Sequence, residues 1–372
     1  MNPKKRAITV AAAGTALGVA GLGLIAMPAG AGSEPQLPEI SAEELVESAV
    51  SAEHPAFGGT VRVDNQLGLP ALPGMDSLEM DAAEVHSNGR DASRLGVRDG
   101  NAERTIVQNG NTVWTYDSAE NSAKKVTLPG EADRERDRLP REGELSGDPT
   151  ELTATVLEQV RETSTVAVDG TATVADRAAY ELVLTPQPTE RTLLREVRVA
   201  VDADTRMPLR LAVHTHGTTE PALQVGFSDI SFGPQPAELF QFSPPAGATV
   251  TEENATERRA GGKEHAEQAK EATDIRVVGD GWDTTLVGSV PAEMLNQQAR
   301  FGDDEGRADA DRRDGRPADV RGLLQQFGKQ VTGSFGTGYV ITTKVGTALI
   351  TEDGRFAAGF VPEQVLIQAL ER

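Results

Sequence analysis

The chain has 372 residues, with 36 Lys+Arg against 57 Asp+Glu, a formal net charge of −21, and no cysteine. So acidic a surface repels nucleic acid, and the missing thiols exclude disulfides, thiolate metal sites, a cysteine nucleophile and a cysteine-borne lipid anchor. The length suffices for two domains with ordinary cores.

The first 31 residues read as an export signal. Lys4, Lys5 and Arg6 precede 21 uncharged residues, Ala7 to Met27, and Ala29-Gly30-Ala31 supplies the small-x-small pattern of a cleavage site after Ala31. The uncharged run is also long enough to span a bilayer. The mature protein is therefore expected outside the cytoplasm, freed by cutting after Ala31 or held by residues 7–27. Without the three basic residues the balance becomes 33 basic against 57 acidic residues, which favours solubility and gives no attraction to anionic headgroups.

Residues 32–40 read as a tether. Ser41-Ala-Glu-Glu44 is a capping box, and Leu45, Val46, Ala49 and Val50 predict a short amphipathic helix. After Pro55 the apolar period changes to two: Val61 and Val63 alternate with Arg62 and Asp64, and Leu78 and Met80 with Glu79 and Asp81. Residues 67–74 are an apolar, proline-bearing loop. Asp99-Gly100 and Asn109-Gly110 predict hairpin turns, the second leading into Thr112-Val-Trp-Thr-Tyr116. A charged stretch, 129–147, precedes a helix opened by Asp148-Pro-Thr-Glu151, with Leu152, Val156, Leu157 and Val160 as its apolar stripe.

Strands are expected at 180–184, 193–201, 209–213, 225–227 and 230–232, closing with Phe240-Gln-Phe242. Residues 252–273 read as a charged linker. The last region, 274–372, is expected to be a small α+β domain. It has strands near 275–279 and 284–290, a low-complexity insertion at 302–317, a helix carrying Val320, Leu323, Leu324 and Phe327, a hairpin at Asp353-Gly354 and a helix from Pro362.

Three stretches carry a resemblance: Ile106-Val-Gln-Asn-Gly-Asn-Thr-Val-Trp-Thr-Tyr116, Tyr180-Glu-Leu-Val-Leu-Thr-Pro186 and Phe240-Gln-Phe-Ser-Pro-Pro-Ala-Gly-Ala-Thr-Val250. In this order, after a leading helix and Phe57-Gly-Gly59, they make residues 41–251 resemble the outer-membrane lipoprotein carrier (LolA) family, whose fold the N-terminal domain of the regulator RseB/MucB shares. The C-terminal hundred residues resemble a region appended in actinobacterial members. The resemblance implies an α+β, mainly β fold: a curved, incompletely closed antiparallel sheet covered by helices, with acyl chains held between sheet and helices. Its implied partners are a lipid or lipoprotein acyl chain, or, as in RseB, a membrane-anchored anti-sigma factor. A monomer without cofactor is expected.

Under that resemblance the cavity candidates are Phe57, Val61, Val63, Trp114, Tyr116, Leu182, Leu184, Val197, Val199, Leu209, Leu211 and Val213, with Leu152 and Leu157 from the covering helix. Segments 67–76 and 129–147 are its gates. Read bare, the same alternation describes any half-buried sheet, and it does not say which strand face lines a cavity.

The remaining motifs point elsewhere than catalysis. His214-Thr-His216 has a spacing that metal sites use but no third ligand nearby. The acidic run 303–311 lacks the spacing and closing glutamate of a calcium loop. Gly333-Ser-Phe-Gly-Thr-Gly338 lacks the features of a phosphate loop and reads as a hairpin. With no nucleophile elbow or paired zinc histidines, a non-enzymatic carrier or chaperone is expected. A regulatory sensor or a structural envelope protein stands as the alternative.

Overall fold

The computed structural model describes residues 35–68, 82–100, 102–128, 162–254, 275–289 and 320–371. The first helix, α1 (Ala42–Ser51), begins where the capping box puts it: Ser41 accepts a hydrogen bond from the Glu44 N–H at 3.1 Å. It buries Ala42 and Leu45 against the sheet, and Leu37 and Ile40 join the same cluster. Residues 35–40 are thus packed chain and not a free tether. Thr171 donates to the Pro35 carbonyl (2.8 Å) and the Tyr180 hydroxyl to that of Pro38 (3.1 Å).

Twelve strands form one large sheet. In chain order they are β1 (Phe57–Asn65), β2 (Ala82–Ser87), β3 (Ala92–Asp99), β4 (Ala102–Asn109), β5 (Thr112–Asp117), β6 (Ser122–Thr127), β7 (Ser164–Val174), β8 (Arg177–Pro186), β9 (Leu194–Asp202), β10 (Pro208–Thr215), β11 (Leu223–Phe232) and β12 (Thr249–Asn254). Their spatial order is 12-6-5-4-3-2-1-11-10-9-8-7. Two antiparallel meanders, β1–β6 and β7–β11, are therefore joined edge to edge through β1 and β11. The ends of the row, β12 and β7, do not pair with each other, so the sheet is open. Even so, β7 comes within 8 Å of β11 between Cα atoms, although four strand spacings would put them about 19 Å apart in a flat sheet. The sheet is strongly curled. This open, curled sheet with a helix against it is the architecture that the carrier resemblance implies.

Both Asp-Gly and Asn-Gly turns fall where expected, with Gly100 at φ 56° and Gly110 at φ 57°. Three features differ from the expectation. Residues 225–227 and 230–232 form one strand, β11, interrupted by a bulge opposite Thr60/Val61. Strand β7 lies outside the expected strands. Strand β12 runs parallel to β6 and extends to residue 254, into the expected linker, with Lys124 paired to Glu253 (2.7 Å) and Lys125 to Glu252 (3.4 Å).

The second domain is a six-stranded sheet of order 13-14-18-17-16-15: β13 (Arg276–Val278), β14 (Thr285–Ser289), β15 (Lys329–Gly333), β16 (Gly336–Thr342), β17 (Thr347–Thr351) and β18 (Arg355–Gly359). Helix α2 (Val320–Phe327) precedes β15, and α3 (Glu363–Leu370) ends the domain as Pro362 predicts. One face of the sheet packs Val287, Val340, Leu349 and Ala357 against Val365, Leu366 and Leu370 of α3. The glycine-rich segment 333–338 is the β15–β16 hairpin.

The domains meet through the loop before β9. Glu190 accepts from the backbone N–H groups of Trp282 (2.9 Å) and Asp283 (3.3 Å), and the Trp282 indole donates to Ser164 Oγ at 2.6 Å. The Leu193 N–H and Thr192 hydroxyl both donate to the Phe360 carbonyl. Gly281 sits in this seam at φ 66°, and a Cβ on it would lie 2.4 Å from Thr163 Cγ2. Gly281→Ala combines that clash with an unfavourable backbone region, so we expect it to loosen the seam. Faster limited proteolysis of the variant between the domains would register the change; an unaltered pattern would refute it.

Candidate functional site

In an antiparallel ladder, directly opposed residues point to the same face, so the registers sort the side chains into two surfaces. On the helix-bearing face, Leu184 opposes Val197, which opposes Val213 and then Leu223. The next row runs Leu182, Val199, Leu211, Val225 and Val63. Beyond it, Phe227 opposes Val61, and Val61 opposes Ala83, which opposes Val97. Val85, Leu95 and Ile106 continue the same surface into the other meander. Phe57 lies on it too, its ring edge-on to Phe227 at 5.8 Å between centroids.

This surface is apolar across eight strands, β8–β11 and β1–β4, and only partly covered. Helix α1 and residues 37–40 bury Tyr180, Leu182 and Val201 at the β7–β9 end. Farther along, Val61, Val63, Val197, Val199, Val213 and Val225 are half-buried, while Leu211 is 39% and Ile106 40% exposed. Leu152 and Leu157, the rest of their helix, segment 129–147 and most of segment 67–76 lie outside the described residues, as do Ala31 and the 302–317 insertion.

Three candidates do not join these rows. Trp114 opposes Val107 and Tyr116 opposes Thr105, both buried on the far side, while Val113 and Thr115 take the helix-bearing side. Trp114 and Tyr116 both contact Phe242, at 5.5 and 5.7 Å between centroids. The segment that carries Phe242 begins with the short turn Ala237–Phe240, pinned by Asn109 Nδ2 donating to the Phe240 carbonyl. Leu209 is turned over by the bulge between Pro208 and Arg210, and packs with Ala179 and Ala200 instead of beside Leu211. The structure therefore separates Trp114 and Tyr116 from the other described candidates, whereas the Leu209 cluster is also joined by Phe227, the ring against which Phe57 stands.

The opposite face of β8–β10 is ionic. Glu181, 7% exposed, accepts from Arg198 (3.4 Å) and from Arg210. Arg198 also reaches Glu196 (2.9 Å) and Asp169 (3.1 Å). Gly226 makes room for this network, since a Cβ there would lie 3.0 Å from Arg210 Cγ. Burial works against the Glu196 carboxylate, yet the hydrogen bond and charge of Arg198 and the charge of Arg195 hold its pKa below the ordinary value. Burial and the Arg195 charge lower the His214 pKa as well, which favours its neutral form. His216 lies beyond the end of β10, past a register shift at His214/Thr215, so the two imidazoles do not form a strand-face pair. Among the described residues no group of three or more His, Asp or Glu could hold a metal.

Sequence reasoning missed Leu223, Val225, Phe227, Val85, Leu95 and Ile106. Their period-two alternation was visible, but the ladder was needed to set them in one row with Leu211 and Val63.

No curated protein matches the chain. Among solved structures it is similar to the MucA/MucB complex of Pseudomonas aeruginosa, with 14% identity over 88% of this chain and 96% of that one, at a TM-score of 0.40. It is also similar to the lipoprotein LppX of Mycobacterium tuberculosis, with 10% identity over 50% and 91% of the chains and a TM-score of 0.28. A LolA superfamily protein of Nitrosomonas europaea gives 12%, 55%, 99% and 0.23 in the same order. No described helix is long and apolar enough to cross a membrane. Residues 80–252, which contain strands β2–β11 and most of β12, match the model of a family described as a predicted periplasmic protein (DUF2092), in agreement with the extracytoplasmic location expected from the first 31 residues.

Proposed function

We propose that the helix-bearing face of the large sheet binds an apolar ligand, a lipid or lipoprotein acyl chain, and that the protein acts as an envelope carrier or chaperone and not as an enzyme. The observation that carries this reading is the asymmetry of strands β8–β10. One face holds paired ions, and the other is an unbroken apolar row left half open at Val199, Leu211, Val213 and Val63. Water-exposed valine and leucine side chains in such a row gain about 0.8 kcal/mol for each methylene that a ligand buries on them. A chain of a dozen methylenes, fully buried, would contribute about 10 kcal/mol, comparable with the cost of association of about 4–15 kcal/mol.

Protein purified from its own host is expected to release a lipid on organic extraction, identified by mass spectrometry, and the delipidated protein to bind a hydrophobic dye. Leu211→Glu places a charge in the row at a position already 39% exposed. It should fold and lose dye or acyl-chain affinity by tenfold or more. Full affinity in a folded Leu211→Glu protein, or an absence of both lipid and dye binding, would sink the reading.

A second reading, a regulator that holds a membrane-anchored partner such as an anti-sigma factor, is favoured by the firm attachment of the second domain at Glu190, Thr192 and Trp282, which gives a partner a continuous two-domain surface. A stoichiometric membrane protein in a pull-down from envelope extracts would support it, and loss of that complex on delipidation would not be expected of a simple carrier.

A further inference from the structure

One row of the helix-bearing face lies nearest the second domain. It runs Leu184, Val197, Val213 and Leu223 across β8–β11, and Val166 continues it onto β7, the last strand of the sheet. All of these side chains are half-buried. The second domain reaches the sheet at three places along the same end of the strands. Trp282 meets Ser164 at the start of β7, and Phe360 meets Thr192 and Leu193 before β9. The Lys344 N–H donates to the Leu67 carbonyl, just past β1, at 2.8 Å. The row is therefore flanked by the second domain on one side. On the other it is bordered by α1, whose cluster takes in Val166 and Leu184.

The first of these contacts stands on the apolar face itself. Ser164 has the parity of Val166 and Val168, which oppose Leu184 and Leu182, so its side chain points to the helix-bearing surface. The Trp282 indole donates to Ser164 Oγ at 2.6 Å and is thereby brought to that surface, where the row reaches the sheet edge. Its N–H is satisfied there, and the rest of the ring is apolar. The backbone beneath the ring is held as well, since the Trp282 and Asp283 N–H groups both donate to Glu190. The residue remains half-buried, so part of its surface is open to a ligand lying along the row.

We propose that Trp282 is the end wall of this row: it touches the tip of the bound chain and sets the length that the face admits. This rests on the reading of the face as an acyl-chain site and adds the residue that determines its length specificity. The chain lies with its tail at Trp282, because Glu190 and Asp283 place carboxylates beside that end and repel an anionic head. A chain that stops short of the ring leaves apolar side chains in water. A longer one must displace the ring and break its bond to the Ser164 hydroxyl, which is 3% exposed. Affinity therefore rises about fourfold for each added methylene up to the wall, and then stops rising. Through this one side chain the second domain takes part in ligand selection.

The chain has two tryptophans, and Trp114 lies on the opposite face. Trp114→Phe in the whole mature chain therefore leaves Trp282 as the sole indole fluorophore. The probes are hexadecanoate brominated on its terminal carbon and hexadecanoate brominated beside the carboxyl, since bromine quenches an indole that it touches. Binding is followed independently by displacement of a hydrophobic dye. The terminal bromine is expected to quench Trp282 at least twofold at saturation, and the bromine beside the carboxyl to leave it nearly unchanged. Across a series of saturated fatty acids, affinity should stop rising at one chain length, and Trp282→Ala should move that limit to longer chains. Should Trp282→Ala fail to fold, the quenching experiment decides, because it leaves Trp282 in place. Dye displacement without quenching, equal quenching by the two probes, or an unmoved limit in folded Trp282→Ala overturns the proposal and leaves the acyl-chain reading standing. No displacement by any fatty acid overturns both.

Discussion

Replacing Leu45 by Ala is expected to destabilise the large domain by about 2–5 kcal/mol, the range for truncating a fully buried leucine. Leu45 is 0% exposed and is the side chain through which α1 meets Tyr180, Leu182 and Val201. Removing three carbon atoms leaves a cavity between a rigid sheet and a ten-residue helix, too short to persist without that packing. For a domain of this size the midpoint of thermal unfolding should fall by roughly 2–4 °C per kcal/mol. The surface that α1 covers would open as well, so dye binding should rise even as the protein loses stability. A variant with unchanged midpoint and unchanged dye binding would show that α1 is not anchored where the structure puts it.

Asp202 gives the second large effect, and its size depends on pH. The carboxylate is 0% exposed. It accepts two hydrogen bonds from Arg177, at 2.7 and 2.9 Å, two from Thr205, at 2.7 and 2.9 Å, and one from the Asp204 N–H. Burial alone would raise its pKa, but the Arg177 and Thr205 bonds outweigh burial and hold it below the ordinary value. A carboxyl whose folded pKa is lowered stabilises the native state above its unfolded pKa, near 3.9, and the contribution is lost as pH falls through the folded value. Asp202→Ala removes one partner of a buried pair and leaves Arg177 and the β9–β10 turn without their acceptor. About 3 kcal/mol is expected at neutral pH, the lower end for such a change, since Arg177 is partly solvated. The difference from the unaltered protein should shrink in acid. A deficit that stayed constant from pH 7 to pH 2 would mean that the carboxylate charge is not what matters there.

Much of the fold could be read from the residues because each signal was local. The cap at Ser41, the glycines at 100 and 110, the proline at 362 and the alternation from Leu193 to Val201 each bias a few bonds, and those biases survive in the structure. What could not be read is what depends on partners. Trp114 and Tyr116 alternate as faithfully as Val61 and Val63, yet the count of residues through β2, β3 and β4 puts them on the opposite side of the sheet. Leu209 alternates with Leu211 on paper, and one extra residue in β10 undoes the pattern. Strand β7 carries little local signal because Ser164-Thr-Val-Ala-Val-Asp-Gly-Thr-Ala-Thr-Val174 is weakly apolar and is bulged at its centre. Strand β12 carries charge where strands usually carry hydrophobes, and its place beside β6 follows from the lysines it meets there.

The pinning of Pro35 and Pro38 to Thr171 and Tyr180 has a consequence for geography. Pro35 lies eight residues on from Met27, the last residue of the apolar run, a reach of at most about 29 Å even fully extended. If that run stays in the membrane, the molecule is moored through its β7–β8 edge, because the chain is already fixed to the sheet at Pro35 and Pro38. The apolar surface beside that edge would then stay within that distance of the bilayer, so that any ligand transfer would take place at short range.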